Sequence, residues 1–543
     1  MVKSNHKIIV FSLVIITLIF TPTNFDALII PKVAIAFCVS MYFLPNLLVT
    51  IGKTYENLRI KRFIYLSLVW PLLHIFLIMF LSDAPLEQQI FGRTGRGFGF
   101  ITYFAFLVFF IASVVFFSIK NINLIVTGLA ISAFFSGMYA ILQRHSLDIF
   151  AWDSRTNGII GTLGNPNFQS AFSTAGYISL MVFASRFKIK SVLLVSFTIF
   201  TFYLVYICQA TQGYLGISAA IVALLIIWFW HKNIILFSSL LFFASMSGFI
   251  AVLGVLNRGP LVYYLYKVSV QSRGDFFRSA FATANEFPLT GVGLDSFGDY
   301  YLKNRDLVAA NHSFAELTDN AHNYFLEFAA TGGYPLAFLY VILILISLYC
   351  FIYQFSKNKK FDKNIAALFC AWIVFQLQSF VSPGSISIML WNFVICGAII
   401  GVFLEKYKKP SLASNNNKIS DFSTTGIFLA LVGLLVVYPW YNTDRLFRIG
   451  LEQSNANTVM QQVNSYPRFV NKFRLVGVRL LESNLNPQAL EVAKQSIAFN
   501  PNAISGWALV FYNPSATQGE RDKAKTEILR LDPLNKDISL FKY

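Results

Sequence analysis

Two side chains in this sequence stand where a reaction could use them. His322 lies in DNAHNYFLEFAATGG, residues 319–333, at the point where a polar segment turns into a long apolar run. A neutral imidazole at a water–lipid boundary titrates close enough to ambient pH to take a proton from a hydroxyl. Arg273 lies upstream in SRGDFFRSAFATANEFPLTGVGLDSFGDYY, whose helical pattern sets Phe276, Phe277, Ala280, Phe281 and Ala284 on one side and Arg273 and Arg278 on another. This helix is expected to lie along a membrane surface and to stop before Pro288, with GVG making a tight turn. Guanidinium groups there suit a lipid phosphate, which they can grip through two parallel hydrogen bonds. Asp319 or Asn320 is expected to cap the helix after His322, leaving an N-terminus that favours anions.

Weaker candidates surround these two. Asn165 and Asn167 flank Pro166 in a rigid turn that could hold sugar or phosphate, or merely start a helix. Lys32, beside Pro31 at the outer end of an apolar run, reads first as a snorkelling anchor. His312 reads as a solvated loop residue and His74 as a satisfied histidine inside a bundle. The segment FGRTGRGFG, 91–99, resembles a phosphate-binding loop only superficially, because no strand precedes it.

The elements that position these groups are set by composition. A chain of 543 residues that is 56% hydrophobic and only 13% charged lies outside the range of soluble domains, so its length supplies membrane spans. The formal charge of +17 does not indicate nucleic acid, since lysine and arginine come in short clusters between apolar runs. Cysteines 38, 208, 350, 370 and 396 all fall inside apolar runs, without the spacing of a disulfide framework or a metal site. No acidic cluster calls for a divalent metal, and no cofactor is implied.

Thirteen runs are long enough to cross a bilayer, near 8–22, 27–51, 63–82, 99–119, 121–142, 167–185, 191–209, 213–230, 234–256, 323–353, 364–381, 385–404 and 424–441. The first, after MVKSNHK, has the flank of a signal peptide but is expected to stay as a span. With the N-terminus in the cytoplasm, every even-numbered connection carries the basic clusters, among them GKTYENLRIKR, SRFKIK and SKNKKFDKN. This topology predicts an all-α polytopic domain over 1–441, a large external loop over 257–322 and an external tail over 442–543. In the tail, LNPQALEVAKQSIAFNPN and AKTEILRLDPLN read as helices closed by Asn-Pro or Asp-Pro turns, similar to tetratricopeptide repeats although irregular in period.

Three segments in this order, GTLGNPNFQSAF at 161–172, SRGDFFRSA to PLTGVGLDSF at 272–297 and DNAHNYFLEFAATGGYP at 319–335, resemble the motifs of the O-antigen ligase and polymerase superfamily. The resemblance implies a GT-C-like enzyme of the bacterial inner membrane. It would be a metal-independent, inverting glycosyltransferase moving a preassembled glycan from undecaprenyl diphosphate to a hydroxyl of a lipid core, a growing polysaccharide or a protein. On that pattern Arg273 matches the family's loop arginine and His322 its catalytic histidine. The family's second arginine is absent: CQATQGYLG places Gln212 there, and Lys32, Arg278 or Arg258 would have to stand in for its charge. The tail suits protein contact. A transporter or flippase would call for charged or broken helices near the midplane, of which there are few. A non-catalytic scaffold would explain the tail but not the pairing of Arg273 with His322.

Overall fold

The computed structural model describes residues 2–150, 159–312, 317–357, 360–408, 424–453 and 456–535. Each of the thirteen apolar runs forms a helix: Val2–Leu18, Ile30–Thr54, Leu58–Leu81, Phe100–Phe116, Asn123–Arg144, Pro166–Ala184, Lys190–Cys208, Thr211–Phe229, Ile234–Val255, Tyr324–Lys357, Lys363–Val381, Ile386–Phe403 and Thr424–Glu452. Among the described residues, ten helices are long and apolar enough to cross a membrane. Of the other three runs, Val2–Leu18 and Phe100–Phe116 are short and Pro166–Ala184 is richer in polar residues. Among the described residues there is no β-strand.

Ile386–Phe403 forms the axis of the bundle, with all but its last residue buried, and packs along Phe100–Phe116. Gly397 and Gly401 make this approach possible, since a Cβ on either would stand 2.3 and 2.5 Å from the carbonyl oxygens of Phe110 and Val114. Ile234–Val255 lies at the rim and buries only Gly254. Lys32 does not snorkel: it is 2% exposed, and its ammonium donates to the carbonyls of Ile16 and Thr17 at 2.8 and 2.9 Å. Those carbonyls belong to the last turn of the first helix, where they have no intrahelical donor and a cation is favoured.

The Tyr324–Lys357 helix is broken at Gly333, which adopts φ 72°. The break releases backbone groups that the PLTGVG turn then satisfies. Pro335 has no N–H to give Thr331, whose carbonyl instead accepts from Gly293 at 3.2 Å. Tyr334 donates to Pro288 at 2.8 Å, and the Ala330 carbonyl accepts from Val292 at 2.9 Å. His74 closes the set by hydrogen bonding the Gly332 carbonyl at 2.8 Å, the satisfied role expected of it. Backbone polar groups freed by the kink thus fasten the long loop to the helix that follows His322.

The described part of the tail contains five short helices, Ala456–Asn464, Val470–Glu482, Asn486–Phe499, Ile504–Tyr512 and Gln518–Leu531. The second packs on the third and the fourth on the fifth, as two hairpins beginning at Val470 and Ile504, a step of about 34 residues. The tail folds back onto the long loop. Arg305 pairs with Asp532, Arg468 with Glu87, and Asn500 donates to Asp299 at 3.0 Å.

Candidate functional site

The Val268–Glu286 helix ends before Pro288 as its sequence predicts. Its apolar side, however, is turned to protein and not to a membrane surface. Phe276 and Ala280 are buried in one cluster with Phe297, Tyr301, Ala330 and Ala508, the last from the tail. Phe281 stays 54% exposed. Burying the Phe276 side orients the first turns of this helix towards the 319–323 segment. The Phe276 and His322 rings lie 5.0 Å apart, tilted by 34°.

His322 takes a left-handed backbone conformation, φ 53°, which costs a residue with a Cβ of order 1 kcal/mol and marks a constrained position. Neighbours hold it there. The Asn320 side chain accepts the His322 N–H at 2.9 Å, and Glu327 accepts the Ala321 N–H at 2.7 Å. The cap of the following helix is Asn323, whose side-chain oxygen accepts from Phe325 and Leu326 at 2.9 and 3.1 Å. Asp319 and Asn320, the residues expected in that role, are occupied otherwise: Asp319 in an ion pair and Asn320 in the turn at His322.

The imidazole Nδ1 lies 3.3 Å from the Asn320 carbonyl oxygen. A carbonyl only accepts, so this contact places the ring proton on Nδ1 and leaves the lone pair on Nε2. Burial, with the charges of Arg96 and Arg273, pushes the His322 pKa down to about 4, against the opposing pull of the Asn320 carbonyl and Asp319. The ring is therefore neutral at ambient pH and able to accept a proton.

Arg273 is half-buried, its Nε lies in the interior without a hydrogen-bond partner among the described residues, and burial lowers its pKa. A guanidinium in that state is available to an incoming anion. Arg278 is committed: it pairs at 2.5 Å with both Asp275 and Asp306. His312, expected to be solvated, contacts the same Asp275 at 3.0 Å. Arg258 is exposed on the segment after the ninth long helix.

Arg96 was the residue hidden in FGRTGRGFG. It makes a two-point pair with Asp319, at 2.9 and 2.5 Å, and holds that carboxylate well below its usual range despite burial. Arg93 pairs with Asp299. Carboxylates also shape the loop's backbone: Asp295 accepts from Arg93 and Phe98 at 2.6 and 3.1 Å, and Asp26 accepts from Gly95 at 2.7 Å. Gly95 and Gly97 supply positive φ angles of 82° and 69°. Burial raises Asp295 to about 6 and Asp26 to about 7, the latter with a contribution from Asp444. Arg96, Asn320, Tyr324 and Glu327 line a small pocket with Tyr103 and Phe328.

Other expected residues lie apart from this arrangement of contacts. Asn165 caps the Pro166–Ala184 helix by accepting the Asn167 N–H at 2.8 Å, a helix-starting role. Gln212 exchanges hydrogen bonds of 2.8 and 3.0 Å with Ser382. Lys32 is enclosed by the end of the first helix. Among the described residues, no three His, Cys, Asp or Glu side chains are grouped so as to hold a metal ion.

A half-buried histidine thus lies beside an arginine that has no ion-pair partner among the described residues, on a loop fastened at the end of a helical bundle. Residues 196–341 match the family model described as O-antigen ligase. This stretch is similar to an O-antigen ligase domain. A search of curated proteins finds no match. The O-antigen ligase segment contains Gln212, Arg258, Arg273, Arg278 and His322, together with the turn that docks on the Gly333 kink. Arg96, Asn165, Asn167 and Lys32 lie outside it.

Proposed function

We propose that this O-antigen ligase-type membrane protein transfers a preassembled glycan from a polyprenyl diphosphate to an acceptor hydroxyl. The reaction is placed at the external face of the bacterial inner membrane, with the N-terminus in the cytoplasm and the tail outside. The observation that carries the reading is the pairing of a neutral His322, with its lone pair on Nε2, and a nearby half-buried Arg273 without a carboxylate partner among the described residues. Nε2 takes the proton of the acceptor hydroxyl as its oxygen attacks the anomeric carbon. The bond from that carbon to the diphosphate breaks on the opposite face, so configuration inverts, and the electron pair leaves with the diphosphate. Arg273 meets the charge that develops there, a task for which a preorganised cation out of bulk water is suited.

Arg96, held by Asp319, adds a second cation near His322 and supports the same reading. Its guanidinium is already close enough to His322 to depress its pKa, and it forms one wall of the pocket beside it. A lipid core, a growing polysaccharide and a protein remain the acceptor classes within this reading.

The test is glycan transfer by His322→Ala and Arg273→Ala in membranes with matched protein levels. Losing the base should cost about 10²- to 10⁴-fold. Transfer at the wild-type rate in both variants overturns the assignment.

A further inference from the structure

Two basic connections meet at the end of the bundle remote from His322. One is the 230–233 segment between the Thr211–Phe229 and Ile234–Val255 helices, and the other leads from Tyr324–Lys357 into Lys363–Val381. Phe355 lies more than twenty residues beyond the Gly333 kink, roughly 30 Å along the axis, so this end is well separated from the transfer site. A cavity of about 40 Å³ opens between the two connections, about three times what one water needs. Trp228, His231 and Lys232 line one side of it, and Phe355, Lys360 and Phe361 the other. The two sides are tied together. His231 Nε2 hydrogen bonds the Phe355 carbonyl at 2.7 Å, and that carbonyl, in the last turn of its helix, has no intrahelical donor. The Trp228 and Phe361 rings lie 5.0 Å apart, edge to face, and the Lys232 ammonium stands 3.4 Å from the centre of the Trp228 ring.

The charges in this cavity do not cancel. Neither Lys232 nor Lys360 forms an ion pair among the described residues. Asp362, the carboxylate in the wall, is turned to the helix behind it, where it accepts the N–H groups of Asn364 and Ile365 at 2.8 and 3.2 Å. We propose that the cavity binds the phosphate group of an anionic membrane lipid, with Lys232 and Lys360 meeting its charge. A basic cavity between helix ends, rimmed by an indole, is suited to a phosphodiester headgroup at the boundary of the bilayer. The exposed Trp228 and Phe361 rings favour a lipid over free phosphate, because a lipid brings apolar surface to cover them beside the anion. Bound there, the headgroup joins four helices. It supplies an anchor for Ile234–Val255, which buries only Gly254 in the bundle and meets the cavity through Trp230, whose ring lies 5.1 Å from Phe237 and 6.1 Å from Phe355. The site is independent of the transfer chemistry proposed above.

The test is the thermal midpoint of the full-length protein, delipidated in a neutral detergent and titrated with phosphatidylglycerol, phosphatidylcholine or inorganic phosphate. Phosphatidylglycerol should raise the midpoint by several degrees, since a ligand of the native state alone stabilises it by mass action, while the other two leave it nearly unchanged. The double variant Lys232→Gln, Lys360→Gln should lose most of the shift. Lys357→Gln with Lys363→Gln, which removes the same charge from exposed neighbours outside the cavity, should keep it. Lys360→Gln alone, at a side chain with no hydrogen bond or ion pair among the described residues, should fold as wild type and raise the half-saturating phosphatidylglycerol concentration about threefold or more. No shift with phosphatidylglycerol in wild type, or an equal shift with phosphatidylcholine, overturns the proposal. So does an equal shift in the two double variants, which indicates charge in general, or the whole shift with inorganic phosphate, which assigns the cavity to the free anion.

Discussion

Arg305 and Asp532 stand 227 residues apart in the chain, yet form an ion pair in which Arg305 Nη2 donates to both carboxylate oxygens, at 2.9 and 2.8 Å, with side-chain exposures of 0% and 1%. The pair joins the last described tail helix to the loop between the Phe297–Asn304 helix and the 307–312 turn of helix. Within that same loop region, Asp299 receives Asn500, and Tyr300 receives Asn502 at 3.3 Å. The tail is thereby part of the scaffold under Phe276 and His322.

Removing one partner strands the other in the interior, which typically costs about 3–5 kcal/mol. Asp532→Ala should lower the thermal midpoint of the solubilised protein by several degrees and expose the tail to protease. Asp532→Asn, which keeps the shape and one acceptor, should lose less. A midpoint equal to wild type in both variants contradicts the anchoring role.

For His322 the sign of the pH effect follows from its depressed pKa. The ring stays neutral, and able to act as base, at all pH values above about 4, so the acid limb of kcat/KM falls there and not near the ordinary histidine value. Arg96→Gln removes a charge that lowers this pKa, so the limb should move to higher pH. The unfolded chain protonates His322 at higher pH than the native state does. Its contribution to stability is therefore lost as pH falls through the interval between the two values. A pH–rate profile that keeps the same acid limb in wild type and Arg96→Gln would count against Arg96 as the neighbour that tunes the base.

Arg273 and Arg278 lie on one helix and separate cleanly by partner. Arg278 is held by Asp275 and Asp306, and being partly exposed it should contribute no more than about 1 kcal/mol. Arg278→Ala should leave transfer largely intact, whereas Arg273→Ala should lose it, as should Arg273→Lys in large part because a single ammonium cannot make the two-point grip. Equal losses at both positions would show that the helix as a whole is needed rather than one guanidinium.

The Gly333 kink admits no side chain. A Cβ there would stand 2.4 Å from the backbone carbon and oxygen of Leu289, and at Gly291 a Cβ would stand 2.4 Å from the Thr331 carbonyl carbon. With φ at 72° and 62°, Gly333→Ala and Gly291→Ala should each cost more than about 1–3 kcal/mol and reduce the yield of folded protein. Wild-type yield and melting in either variant would mean that the turn and the kink can part without harm.

Much of this architecture was legible in the sequence because the signals are local. A bilayer-length apolar run declares its helix wherever it occurs, and all thirteen did so, although the last helix runs on to Glu452, well past the expected end at 441. Arg273 and His322 were legible because each lies in a short motif. Arg96 was not, since its meaning depends on Asp319, 223 residues away, and on Asp295 and Asp26 holding the glycine-rich loop open. Phe276 illustrates a different limit: an amphipathic pattern announces that one side of a helix is covered, and here the cover is the loop and tail rather than lipid. Lys32 misled for a related reason, because its partners are backbone carbonyls that no side-chain pattern reports.

The tie between Arg305 and Asp532 also has a meaning in time. A ribosome finishes the histidine loop and then makes some two hundred further residues before Asp532 exists to lock it. The nascent bundle can insert its helices one after another, but the loop that carries His322 receives this support only after those further residues have been made. Assembly around His322 in this way waits on the tail.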